Sequence, residues 1–310
     1  MEITRRTLVT SATAALAGVA ALPLGSTAAH AASSTKGDAA SAASSTGEAA
    51  AAQSQQRIDA ALALINTFAT GDAETASSLL AEGYIQHNLA YGTGRDAFVA
   101  SVQGLAAADA PTLVANVRAF ADGDYVFLQS IYDFAGAGEQ VGFDVFRFEG
   151  DLISEHWDNL AQLAKPNLSL HTQYDGQREA RDLDKTEANR ELVKNFLFDV
   201  MQGNNSDKTP QYFNGDAYIQ HNVAMGDGVS GLSAALQSLA EQGIQMVYTT
   251  THMVLAQGDM VLAVSEGTYG DVPTAYYDLW RVEDGFIAEH WDVMETIPDE
   301  STWANDNGKF

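Results

Sequence analysis

Residues 143–158 read FDVFRFEGDLISEHWD, and residues 277–292 read YDLWRVEDGFIAEHWD. Each stretch alternates apolar and polar residues on both sides of a glycine-containing turn, the period-two pattern of a β-hairpin. With the turn centred on Gly150, Phe148 faces Leu152 and Asp144 lies opposite His156. The same count sets Asp278 opposite His290. Alternation then places Asp144, Phe146, His156 and Asp158 on one face, and Val145, Arg147, Ile153, Glu155 and Trp157 on the other. A slip of one residue would exchange the two faces.

The hairpin is one part of a longer repeat. Tyr84 and Tyr218, His87 and His221, Asp144 and Asp278, and Asp158 and Asp292 are each separated by 134 positions. Gly123-Asp124 recurs as Gly258-Asp259 at 135, so small compensating insertions fall in loops. A period of this length is a duplicated domain, too long for a solenoid. The units are 54–165 and 186–310, joined by a polar linker at 166–185 that contains Pro166 and Gly176.

Each unit has the same order of patterns. Apolar residues at helical spacing mark 58–68 (Ile58, Ala61, Leu62, Ile65) and 188–201 (Leu192, Val193, Phe196, Leu197, Val200). The pentapeptide YIQHN follows at 84–88 and 218–222, then second helices over 95–105 and 229–240. Strand pairs turn at Asp122-Gly123-Asp124 and Gln257-Gly258-Asp259, and the hairpin comes last. Helices first and an antiparallel sheet afterwards predict α+β domains.

Ahead of the units, Arg5 and Arg6 precede an Ala/Leu/Val run that is interrupted by Pro23 and reaches Ala29-His30-Ala31. That pattern reads as an export signal of the twin-arginine type over 1–31, the alternative being an uncleaved anchor. Residues 32–53 are Ala/Ser/Thr/Gly-rich, with almost nothing large to bury, and read as a flexible spacer that turns helical near its end. Removing 1–31 moves the formal charge from −25 to −26, which disfavours nucleic acid and anionic lipid as partners. No cysteine is present, which excludes disulfides and thiolate chemistry.

YIQHN, a strand pair turned at a Gly-Asp, and a final hairpin ending in EHWD together resemble the SnoaL-like branch of the nuclear transport factor 2-like superfamily. That branch includes polyketide cyclases and predicted aldol-condensation catalysts. The resemblance covers nearly all of each unit, and in the second it continues through ETIP and NDNGKF. It implies two cone-shaped domains, each a curved antiparallel sheet wrapped by helices around a pocket, paired as an intramolecular pseudo-dimer. It also implies a small apolar or aromatic carbonyl-type ligand, no cofactor and no metal. The fold by itself does not specify a reaction.

By position in that family, Asp158 and Asp292 are the candidate general acid/bases. His156 and His290 would relay a proton or stabilise an enolate, and Asp144 and Asp278 would orient those imidazoles. The alternative is a buried Asp–His pair that only closes the sheet. His87 and His221 either enter the pocket or satisfy loop carbonyls. A third arrangement would join His87, His156 and Asp158 as a metal site, with His221, His290 and Asp292 as its copy. Tyr84, Phe146, Tyr218 and Trp280 are the candidate ligand-binding residues. Trp157 and Trp291 read as packing between the units or against a helix; His171 lies in the linker and His252 on a strand with no acidic motif beside it, so neither is a candidate. Two functions remain open: cofactor-free acid/base catalysis by an exported enzyme, or a secreted module that binds a small molecule without converting it.

Overall fold

The computed structural model describes residues 36–164 and 168–310. The expected export signal at 1–31 therefore lies outside the described residues. Helix α1 (Lys36–Thr70) takes in most of the expected spacer and ends in the predicted amphipathic segment, where Ala61, Leu64 and Ile65 are buried. Among the described residues, no helix is long and apolar enough to cross a membrane.

Domain 1 continues through α2 (Ala73–Leu79), β1 (Leu80–Gln86), α3 (Arg95–Ala106), β2 (Leu113–Asp122), β3 (Tyr125–Asp133), β4 (Gln140–Glu149) and β5 (Leu152–Gln162). Asp72 starts α2 by accepting the Thr75 N–H at 3.0 Å, which satisfies a helix-end donor. The sheet runs β1-β5-β4-β3-β2. It is antiparallel except at its edge, where β1 lies parallel to β5 and sets Gln86 beside His156.

Domain 2 repeats the plan with α4 (Thr186–Phe196), a π turn (Leu197–Met201), β6 (Ile219–Gln220), α5 (Gly228–Glu241), β7 (Met246–Gln257), β8 (Met260–Tyr269), β9 (Val272–Glu283) and β10 (Phe286–Thr296). Its sheet order is β6-β10-β9-β8-β7, again with a parallel edge strand. The two edge strands are a feature that periodicity did not reveal, because each is short and pairs with the far end of its unit.

The hairpin register differs from expectation by two residues. Gly150 and Asp151 form the turn, so Glu149 rather than Phe148 pairs with Leu152, and Phe148 pairs with Ile153. That offset alone would turn the predicted faces over. A bulge then absorbs Ser154, and beyond it Arg147 pairs with Glu155, Phe146 with His156 and Asp144 with Asp158. An extra residue on one strand restores the original faces downstream. Only Ile153, on the turn side of the bulge, changes face, and it joins Phe146 and Phe148 in the core under the helices. In β9 and β10 the same device works at Ala288, giving Trp280 opposite His290 and Asp278 opposite Asp292.

One face of each sheet packs on its own helices: Leu64, Phe98, Val126, Leu128 and Phe146 in domain 1, and Val193, Phe196, Val261, Ala263 and Trp280 in domain 2. The opposite faces share a single core built from both domains, including Phe127, Phe143 and Trp157 with Leu262, Tyr277 and Trp291. Trp157 and Trp291 thus serve packing, as the structural alternative held. Asn159 bridges this core, donating from Nδ2 to the carbonyls of Ala275 and Val293, both at 2.9 Å.

Trailing segments also cross between domains. After β10, the Ala304 N–H bonds the Leu89 carbonyl at 2.8 Å, Asn307 Nδ2 bonds the Gln86 carbonyl at 2.8 Å, and buried Lys309 bonds the Asp158 carbonyl at 2.7 Å. After β5, the linker does the same for domain 2, with Ser169 Oγ on the Gln220 carbonyl at 2.6 Å and Trp291 Nε1 on the Asp175 carbonyl at 2.9 Å.

Asn159→Ala removes both of these cross-domain hydrogen bonds, and it is expected to lower the unfolding free energy by about 1–3 kcal/mol. Urea denaturation measures this; a loss below about 0.5 kcal/mol, the range of an ordinary surface site, would contradict a shared core.

Candidate functional site

On the helix-facing side of each sheet the hairpin carries a His and two Asp side chains to the base of a pocket. In domain 1, His156 Nε2 lies 3.0 Å from Asp144 Oδ1, and Nδ1 lies 3.2 Å from Gln86 Oε1. Gln86 Oε1 also accepts the Asn88 N–H at 2.9 Å, which fixes that atom as the amide oxygen. His156 Nδ1 must therefore donate, and the remaining proton lies between His156 and Asp144. Tyr132 donates to Asp144 Oδ2 at 2.7 Å. Its hydroxyl is held well above the usual tyrosine range by burial and by the Asp144 charge, so it stays a donor. Gly142 makes room for this ring, since a Cβ there would stand 2.6 Å from Tyr132 Cε2.

Asp158 stands opposite Asp144 and is held differently. Asn88 Nδ2 donates to its Oδ2 at 2.9 Å, while Oδ1 is buried with no hydrogen-bond partner. Burial raises the pKa of Asp144, and the Asp158 charge adds to this against the hydrogen bonds from His156 and Tyr132.

Domain 2 builds the same cluster. His290 Nε2 is 3.0 Å from Asp278 Oδ1, His290 Nδ1 is 2.9 Å from Gln220 Oε1, and Asn222 Nδ2 donates to Asp292 Oδ2 at 2.6 Å. Tyr248 reaches Asp278 Oδ1 at 3.4 Å, which leaves Asp278 Oδ2 buried and unpartnered. Burial raises the pKa of Asp292. Burial works to lower that of His290, but the hydrogen bond to Asp278 and the charges of Asp292 and Asp278 outweigh it, so the imidazolium is favoured.

Above these clusters the pockets differ. The domain 1 pocket has an empty volume of about 530 Å³, part of it open to solvent, with walls from Phe68, Tyr91, Phe98 and Phe134. The domain 2 pocket, about 730 Å³ by the same measure, is lined by Met201, Met225, Leu232, Met246 and Trp280. Tyr91 and Met225 occupy the same place in the repeat, as do Phe98 and Leu232. Tyr91 is 39% exposed, and burial of its hydroxyl together with the Asp158 charge raises its pKa.

The structure brings Asp144, His156 and Asp158 together, and likewise Asp278, His290 and Asp292. His87 and His221 do not join them. In the extended chain Gln86 faces the cluster and its neighbour His87 faces away, stacking on Trp157 at 4.7 Å and meeting Glu155 Oε1 at 2.9 Å. His221 stacks on Trp291 at 4.8 Å and meets Glu289 Oε1 at 3.0 Å. Arg147 and Arg281 complete these rows by donating from Nε to Glu155 and Glu289, each at 2.6 Å. The expected metal arrangement through His87 or His221 is therefore not assembled.

Of the candidate ligand-binding residues, Trp280 lines a pocket. Tyr84, Phe146 and Tyr218 are core residues beneath the clusters, with Phe146 stacked on His156 at 4.4 Å. Sequence reasoning missed Gln86, Gln220, Asn88 and Asn222, although the repeated YIQHN contains all four. It also missed Tyr132 and Tyr248, which come from non-equivalent strands, β3 and β7, and leave no repeat signal.

The model of the SnoaL-like domain matches residues 61–156 and again 193–290, more than half of the chain, and the chain belongs to that family in two tandem copies. Similar solved structures each cover about a third of it. An LEH-like epoxide hydrolase of M. tuberculosis is 17% identical (TM-score 0.32), covering 35% of this chain and 85% of its own. An NTF2-like protein of unknown function from Cytophaga hutchinsonii is 14% identical (TM-score 0.30), covering 34% and 89%. A protein with a ketosteroid isomerase-like fold from Catenulispora acidiphila, solved in complex with trimethylamine, is 20% identical (TM-score 0.29), covering 32% and 82%. No curated protein matches the chain.

His290 is expected to titrate above its ordinary 6.5, and Asp292→Asn to bring that value down, as followed by NMR of the imidazole ring. A raised folded-state pKa stabilises the fold fully below the unfolded value and loses that contribution as pH rises through the folded one. His290→Gln should therefore lower stability more at about pH 5.5 than at about pH 9 in urea titrations. Asp292, raised above 3.8, acts in the same sense at lower pH, because folding takes up protons there too.

Proposed function

We propose that both pockets carry out cofactor-free acid/base chemistry on a small apolar or aromatic carbonyl compound. Asp158 and Asp292 act as general bases toward a proton α to the carbonyl. The supporting observation is Asp158: one carboxylate oxygen is tied to Asn88 and the other is buried, unpartnered and set at the base of an apolar pocket. In domain 2 burial raises the pKa of the counterpart Asp292, which suits it to take a proton.

As the C–H bond breaks, its electron pair moves into an enolate beside the His156 or His290 ring, which acts through its charge rather than by a new hydrogen bond because both ring nitrogens are engaged. Each imidazole is already oriented by Asp144 or Asp278 and by a glutamine oxygen. Return of the proton at another carbon isomerises the compound, and attack of the enolate carbon on a second carbonyl forms a ring or an aldol. The shared core between the sheets supports reading the chain as an intramolecular pseudo-dimer. The N-terminal Arg pair and apolar run support export by the twin-arginine route.

A second reading, a binding module, is favoured by one observation: Met201, Met225 and Met246 give the domain 2 pocket an adaptable wall suited to holding varied ligands. Deuterium exchange at the α-carbon of 2-tetralone and related flat ketones, followed by proton NMR in heavy water, separates the two. Exchange above the buffer rate is expected, falling about 10²–10⁴-fold in the Asp158→Asn/Asp292→Asn double variant. Probe binding with no exchange above buffer would leave only the binding module.

A further inference from the structure

The linker and domain 2 bring together three side chains that the acid/base chemistry does not use. His171 and Asp175 lie on the linker and His221 directly follows β6; one donor atom from each lies within 4.8 Å of the others. His221 Nδ1 is 2.8 Å from Asp175 Oδ1 and 2.7 Å from the Thr172 carbonyl oxygen, while His171 Nδ1 is 3.7 Å from Asp175 Oδ2. The two imidazoles are 5.1 Å apart between centroids.

The far nitrogen of the His221 ring is hydrogen-bonded, and that of His171 lies near a carboxylate. His221 Nε2 is 3.0 Å from Glu289 Oε1, and Arg281 Nε holds the other oxygen of that carboxylate at 2.6 Å. His171 Nε2 is 3.3 Å from Asp227 Oδ2, while Asp227 Oδ1 accepts the Gln220 N–H at 2.9 Å. Carboxylates and carbonyls only accept, so His221 donates from Nε2 to Glu289 and from Nδ1 to the Thr172 carbonyl, and a metal ion would take the place of the Nδ1 proton. The Thr172 N–H reaches Asp175 Oδ1 at 3.2 Å. The Nδ1 atoms and both oxygens of Asp175 thus gather beside the Thr172 carbonyl, an arrangement that one cation can bridge in place of a proton.

We propose that His171, Asp175 and His221 bind one divalent transition-metal ion, with zinc favoured by a donor set of two imidazoles and a carboxylate. Zinc bonds of about 2.0–2.1 Å in a tetrahedron set neighbouring ligand atoms roughly 3.3 Å apart, between the two spacings to Asp175. Ligating histidines commonly donate their other N–H to a carboxylate, which is the role geometry gives Glu289 and Asp227. His87, the repeat counterpart of His221, has Glu155 and the Gly308 carbonyl but no second imidazole and no Asp partner, so the site belongs to domain 2 alone. The ion would fasten the linker against domain 2, where Gly176 passes so near Glu289 that a Cβ would stand 2.1 Å from Oε1. It would also pin His221 between Gln220 and Asn222, which hold His290 and Asp292.

Calorimetric titration of the untagged full chain, stripped with chelator and then given zinc alone, tests this. One zinc per chain is expected, with a rise in melting temperature. His171→Ala should abolish both effects and leave the metal-free melting temperature unchanged, since its side chain is one-third exposed. Asp227→Asn should weaken zinc binding about 10–100-fold. No zinc uptake by the wild-type chain would overturn the proposal and leave a protonated imidazole at His221. Uptake that survives His171→Ala but vanishes with Asp144→Asn/Asp278→Asn would also overturn it, by placing the ion in the pocket clusters.

Discussion

The extra residue at Ser154 and Ala288 governs both domains. Side chains alternate along a strand, so a turn one residue tighter than the apolar pattern implies would send Asp158 and His156 toward the partner sheet and Trp157 toward the pocket. The bulge reverses that error within a single step. It leaves apolar Ile153 and Ile287 under the helices, turns the His and Asp side chains to the pocket, and gives the tryptophans to the core between the sheets. Pocket and domain contact thus depend on the same local irregularity.

The polar base of the two pockets is nearly the same, while the walls have diverged. His, two Asp, Gln and Asn recur with closely similar distances, whereas Tyr91 and Phe98 of domain 1 give way to Met225 and Leu232, and Met201 and Met246 join the aromatic residues of the domain 2 wall. Aromatic walls are rigid and favour a flat ligand, whereas methionines adapt. The domain 1 tyrosine at the pocket mouth also adds a hydroxyl that Met225 cannot supply. The two pockets therefore set one polar base beneath two differently lined spaces.

Much of this architecture was legible in the chain. The duplicated hairpin fixed the domain count, and helical periodicity placed the second helix of each unit within a residue of its ends, whereas the first helix of domain 1 starts at Lys36, far ahead of the expected 58. The pocket-facing set of Asp144, His156 and Asp158 was legible as well, since the two register differences cancel. The conspicuous histidines of YIQHN misled because the parallel edge strand presents Gln86 and Gln220 to the clusters, and alternation turns the next residue away. The pairing of His171 with His221 left no pattern either, for the two are far apart in sequence and only one of them is repeated.

The crossing segments have a consequence for how the molecule is made. Gln86 and Asn88 position the domain 1 cluster, yet the carbonyls around them are bonded by Ala304, Asn305 and Asn307, and Asp158 is backed by Lys309. A ribosome delivers domain 1 first, with its own core able to form at once. Its loop stays unfastened until translation has passed Lys309, so the earlier domain to fold is the later one to be finished. Domain 2 has the opposite history: its strap precedes it in the chain and is waiting when His221 emerges. Synthesis thus ripens the two pockets in the reverse of their order in the sequence.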